Sequence, residues 1–110
     1  LIVLEAIKFA LVFIQTSLKE YTEIQNWIKK LEQEGFTDVR VCPIPPNQDL
    51  PEHIHEKHTV HIILSGGLEI IDSEGTKTFH PGDRVEFPAG TIHKAKGLIE
   101  SGKMIIGVKK

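Results

Sequence analysis

The 110-residue sequence has only one cysteine, Cys42, so an intrachain disulfide is impossible. Nothing in its cysteine usage calls for an oxidising compartment, and a cytoplasmic location is the expectation. A basic excess is also missing. The formal net charge is −2, which leaves nothing to neutralise a phosphate backbone and argues against nucleic acid as a partner. Long hydrophobic runs are absent too. The main apolar stretch, residues 1–14 (LIVLEAIKFALVFI), is interrupted by Glu5 and Lys8. It is shorter than the roughly 20 residues of a spanning helix, so no membrane span is expected. It lacks the basic start and small-residue cleavage site of a secretory signal. The chain shows no internal repeat, no low-complexity tract, no Ser–His–Asp or cysteine nucleophile set and no phosphate-binding glycine loop. With 40% hydrophobic and 25% charged residues, what remains is an ordinary globular composition with enough chain for one core.

Helical signals are confined to the first third. Ser17 and Glu20 have the spacing of a capping box. Leu18, Tyr21, Ile24, Trp27, Ile28 and Leu31 follow at helical intervals, and Gly35 is placed to end the helix. The spacing predicts a helix over residues 18–34 whose apolar stripe is buried. Residues 1–14 are read as a strand or helix packed against the rest of the fold or against a second subunit.

After Gly35 the period changes. Short β-prone runs at 37–44, 59–64, 68–71, 77–79, 84–87, 92–95 and 104–108 are separated by glycine, proline and aspartate breaks. Many short strands at this spacing indicate a sandwich or barrel. In the run 59–65, His61 and Ile63 share one face while Val60, Ile62 and Leu64 share the other. A strand apolar on both faces is covered on both sides. The cover on the outer side is the helix, the N-terminal run or a partner subunit, and a homodimer is the simplest partner.

Six histidines are present, five of them between positions 53 and 80. His53 and His55 are two apart, so on a strand both imidazoles point into one cavity and can share a metal. His93 follows a turn built on Pro88 and Gly90, which aims it back toward the same interior.

At these residues the chain resembles the cupins. His53, His55 and Gly66 match the family's first motif, and Gly82, Pro88, Gly90 and His93 match its second. The resemblance implies an all-β fold, a cupin-type double-stranded jelly-roll β-barrel with an N-terminal α-helix. Residues 1–36 would form the apolar segment and helix packed on the barrel, and residues 37–110 the barrel itself, one domain overall. It also implies a divalent metal held by His53, His55, His93 and a glutamate. The glutamate is replaced: its position falls on Thr59, or on Val60 with the longer spacing. His61, on the face of Thr59, is the next candidate ligand, and His58, in the turn before the strand, is the last. Three neutral imidazoles leave the full charge on the metal and favour an anionic ligand. Zinc, nickel, iron, copper and manganese all suit such a site. His80 is read as a solvated turn residue.

Two functions fit this pattern. One is a metal-dependent enzyme acting on a small organic acid or sugar-like molecule, with His61 or His58 as fourth ligand or proton-transfer group. The other is a module that binds or senses such a small-molecule ligand without turnover.

Overall fold

The computed structural model describes residues 2–109; Leu1 and Lys110, the ends of the expected segments, lie outside them. One long helix, α1 (Ile2–Gln33), is followed by eight strands: β1 (Thr37–Ile44), β2 (Asp49–Ile54), β3 (His58–Ser65), β4 (Leu68–Asp72), β5 (Gly75–Phe79), β6 (Arg84–Phe87), β7 (Ile92–Gly97) and β8 (Gly102–Lys109). The strands form two four-stranded sheets in the orders β1-β8-β3-β6 and β2-β7-β4-β5, with every pairing antiparallel. The architecture is mostly β, with one N-terminal helix.

Two apolar layers hold it together. Ile44, Ile63 and Phe87 from the first sheet meet Leu68, Ile70 and Ala95 from the second. The second layer lies outside the first sheet, where Val60, Ile62 and Ile105 are covered by Leu31 of α1 and by Phe36. The doubly apolar pattern of β3 is thereby explained: Ile63 faces the inter-sheet core and Val60 and Ile62 face the helix. Burial of each such side chain stabilises by about 1.5–3 kcal/mol.

Gly35 ends α1 as expected. Its φ is +96°, its amide donates to the Glu32 carbonyl, and the Phe36 amide donates to the Leu31 carbonyl. Those two bonds define a Schellman cap, and Leu31 and Phe36 supply its apolar contact. Arg84 adds a bidentate ion pair to Glu34, at 2.6 and 3.1 Å.

The start of α1 differs from expectation. The helix begins at Ile2 rather than near residue 18, and the capping box at Ser17 and Glu20 does not start it. No proline or glycine precedes Ser17, so nothing stops the helix from continuing through it. Thr16 and Thr22 donate instead to the carbonyls of Val12 and Leu18, as mid-helix hydroxyls do. The apolar run also does not pack on the sheets. Only the C-terminal part of α1 touches β1 and β8, and Val3, Leu4, Ile7, Phe9, Leu11, Val12, Phe13 and Ile14 are exposed. Within the stripe itself Leu31 is buried, Ile24, Trp27 and Ile28 are half-buried, and Leu18 and Tyr21 are exposed. Among the described residues, no helix is long and apolar enough to cross a membrane.

Candidate metal centre

The site is built on β2, β7 and the turns beside them. On β2 the register against β7 shifts between Leu50 and His53. A bulge of this kind lets two residues an odd number apart face the same side: Leu50 pairs with buried Ala95, and His53 pairs with buried His93. His55 lies just beyond the end of β2. Its amide donates to the Thr91 carbonyl at 2.8 Å, and its carbonyl accepts from the Gly90 amide at 2.7 Å. Gly90 has φ +91°, a conformation that glycine adopts without strain. The Pro88–Gly90 turn thus positions His55 as well as His93.

His53, His55 and His93 come together, with one potential ligand atom from each lying within 4.8 Å of the others. His53 is exposed, His55 half-buried and His93 buried, so the group opens to solvent on one side. Ring centroids are 4.4 Å apart for His53 and His93, 4.7 Å for His55 and His93 and 5.1 Å for His53 and His55. Phe87 stacks on His93 at 4.3 Å and on His55 at 4.8 Å, forming an apolar floor.

In all three rings Nδ1 faces an oxygen. His53 Nδ1 lies 2.9 Å from the Pro51 carbonyl, His93 Nδ1 3.2 Å from the Lys94 carbonyl and His55 Nδ1 3.1 Å from the Thr59 hydroxyl. A carbonyl can only accept, so Nδ1 carries the proton in His53 and His93; the same tautomer in His55 donates to Thr59. Nε2 of His53 and of His93 is then a bare lone pair, and so is that of His55 in the tautomer that donates to Thr59. The Nε2 atoms of His55 and His93 face each other at 2.5 Å. They share a proton when Thr59 donates to His55 instead, and can share a cation when His55 donates to Thr59.

Protonation is opposed by the surroundings. Burial, then the charges His93 and His53 would carry, lowers His55 to about 4. Burial lowers His93 as well, against a raising contribution from the Lys94 carbonyl. Both rings are therefore held neutral, the form in which imidazole can ligate a metal. Metal–nitrogen bonds of about 2.0–2.1 Å put two ligands on one tetrahedral ion about 3.3 Å apart, so seating an ion requires the two rings to part by less than about 1 Å.

The remaining candidates fall in different places. Thr59 takes an inward position beside the triad, and its hydroxyl also lies 3.2 Å from His61 Nε2. If that hydroxyl accepts from His55, it donates to His61, leaving the proton on His61 Nδ1, which is buried with no partner. Burial lowers His61 to about 4. His61 therefore sits one hydroxyl away from the triad. His58 is not brought to it: it is the first residue of β3, and its Nε2 pairs with Glu86 at 3.0 Å beside the Phe36 ring. Residues 58 and 60 share the outer face, so His58 does not reach the triad. His80 is exposed, as expected.

Phe87, which packs beneath the triad, was hidden in the sequence; only its inward parity, just before Pro88, marked it. A cavity of about 230 Å³ adjoins it, lined by Ile70, Phe79, Val85 and Thr91 with Asp72 and Lys77.

The comparisons with known proteins agree with this fold. The family model described as "Cupin domain" matches residues 40–104, leaving α1 outside the match. No curated protein matches the chain. A DMSP lyase from Ruegeria pomeroyi is similar in structure, with TM-score 0.59, 22% identity, and coverage of 66% of this chain and 37% of the lyase. A cupin 2 conserved barrel domain protein from Salinispora arenicola has TM-score 0.58 and 25% identity over 66% of this chain and 61% of that one. A polyketide cyclase from Streptomyces resistomycificus has TM-score 0.57 and 19% identity over 69% of this chain and 56% of the cyclase. The chain thus spans little more than a third of the lyase's length.

Proposed function

This chain belongs to the cupin family, and from that premise we propose that it is a small metal-dependent enzyme domain acting on a small, oxygen-rich organic acid. His53, His55 and His93 hold one divalent ion through Nε2, each ring fixed in its tautomer by the oxygen at Nδ1. The observation that carries this reading is the convergence of one nitrogen from each of His53, His55 and His93 within 4.8 Å, in surroundings that oppose protonation of His55 and His93. A bound zinc, nickel, iron, copper or manganese ion supplies a Lewis acid that polarises a ligand oxygen. This chain's own residues do the rest. The exposed His53 side admits the acid, Phe87 excludes water beneath the triad, and His61 exchanges protons through the Thr59 hydroxyl. Among the described residues no carboxylate joins the three ligands, so an anionic substrate meets uncompensated charge. The lyase and the cyclase lend this chain their fold and neither of their substrates.

Residues 37–110 are the working unit, a double-stranded jelly-roll barrel, with residues 1–36 appended as the apolar segment and helix. We place it in the cytoplasm as a homodimer, on the single half-buried Cys42 and the exposed apolar helix.

Metal content and metal-induced thermal stabilisation, measured after chelation and reloading, test the centre. Wild type should bind one ion per chain, His93→Ala should lose it while staying folded, and His80→Ala should keep it. No stabilisation of wild type by any of the five metals would overturn the proposal. The second reading, ligand capture without turnover, is favoured by the small cavity beside Phe87, about 230 Å³. Thermal shifts with small carboxylic acids but no product from any of them would select it.

A further inference from the structure

We infer that the projecting half of α1 is an association surface for a second copy of this chain, packed antiparallel along a heptad seam. This deepens the homodimer proposed above and does not depend on the metal. Leu4, Ile7, Leu11, Ile14, Leu18 and Tyr21 recur at alternating intervals of three and four, the a/d pattern of paired helices. All six are at least half exposed. The next seam position is the polar Gln25, and there the helix passes to its own sheets through Ile24, Trp27 and Leu31. At 100° per residue the seam and this docking stripe point roughly a third of a turn apart. The seam is therefore open to a second chain while the helix stays docked on its own sheets.

The occupant follows from symmetry, area and charge. About the midpoint between Val12 and Phe13, an antiparallel copy places Leu11 against Ile14, Ile7 against Leu18 and Leu4 against Tyr21. The seam is thus self-complementary, as a two-fold interface requires. Each exposed seam residue offers on the order of 100 Å². Two copies then bury about 1,200 Å², the lower bound for a specific interface. The charged residues lie elsewhere: Glu5, Lys8, Lys19 and Glu23 occupy another strip, with Glu5 and Lys8 paired at 3.5 Å, and Glu20 turns to the sheets, where it pairs with Lys103 at 2.7 Å. The seam therefore brings no like charges together. The antiparallel arrangement also sends the two sheet bodies to opposite ends, because each is attached at the C-terminal end of its helix.

Sedimentation equilibrium of the full chain tests the inference. A protomer has a mass of 12.4 kDa, so the wild type should sediment at about 25 kDa. The double variant Leu11→Asp, Ile14→Asp should raise the dissociation constant at least ~100-fold and leave Trp27 fluorescence, the reporter of the docked helix, unchanged. Val12→Asp, on the polar strip, should leave the mass alone. In a Cys42→Ser background, mixed Leu11→Cys and Ile14→Cys proteins should oxidise to the mixed disulfide. A monomeric wild type overturns both the seam and the homodimer. A double variant that stays dimeric, or exclusively like-with-like disulfides, overturns the seam alone. A monomeric wild type that floats with phosphatidylcholine vesicles, and is released equally by Val12→Asp and the double variant, assigns the helix to lipid instead.

Discussion

Thr59 stands where the family's carboxylate is expected, and the consequences of that one exchange can be measured. Its hydroxyl links His55 to His61 without supplying charge. Thr59→Val removes the acceptor that holds His55 in its tautomer, and metal affinity should fall about 10–100-fold, the usual effect of losing such a partner. Thr59→Glu should tighten metal binding and weaken competition by anions such as phosphate. Isothermal titration with zinc, with and without phosphate, reads both. The metal-free protein should also be acid-sensitive. His55 and His61 are lowered to about 4 from an ordinary 6.5, chiefly by burial. Both are neutral in either state above 6.5, so their contribution to stability is fully present there. As pH falls from 6.5 toward 4 the unfolded chain gains protons that the folded chain refuses, and stability is lost. Urea midpoints across that window check the sign; a midpoint that rises on acidification contradicts it. The convergence of His53, His55 and His93 was legible because their spacing is written in the sequence. The carbonyls of Pro51 and Lys94 that orient two of them were not, since a backbone acceptor leaves no signature in residue identity.

Among the elements, the strands were nearly all legible and the helix start was not. β1 and β6 occupy the expected spans, 37–44 and 84–87, because turn residues bound them sharply. β2, Asp49–Ile54, was not among the expected runs, because Pro51 and the charged Asp49 and Glu52 weaken its local strand signal; pairing with β7 outweighs that local preference. The helix ran past its expected start because a capping box is only a local option. Docking of α1 rests on few residues, so truncations should separate along it. Leu31 is fully buried, and Leu31→Ala should cost about 2–5 kcal/mol. Trp27 is only half-buried, so Trp27→Ala should cost less than the about 3–5 kcal/mol of a buried indole. Leu4→Ala, on the projecting end, should change the unfolding free energy of the dissociated chain by less than about 0.5 kcal/mol. Urea denaturation at low protein concentration ranks the three, and a Leu4 effect as large as that of Leu31 would show that the projecting end packs on the sheets.

At the scale of the whole molecule, the extents of 60 × 32 × 16 Å record a body with a long arm. Removal of residues 1–17 should leave the metal centre intact, since the last turns of α1, the Schellman cap and the Glu34–Arg84 pair all remain. Metal content of the shortened chain should match wild type, and a fall in metal content would tie the arm to the site. The sheet order carries a further consequence. β8, the C-terminal strand, sits between β1 and β3 and pairs with both, so Thr37 meets Val108 and His61 meets Ile106. During synthesis the helix and the β4–β5 hairpin can form early, but the first sheet has no centre until residues 102–109 leave the ribosome. Contacts this distant in sequence make for slow closure, on the order of milliseconds to seconds, and until then the apolar faces of β1 and β3 stand open as strand edges. A free chain that ends at Glu100 should be cut by protease throughout residues 37–65, whereas a chain that continues through Lys109 should resist. Equal resistance at the two lengths would mean that the second sheet alone can hold the first strands in place.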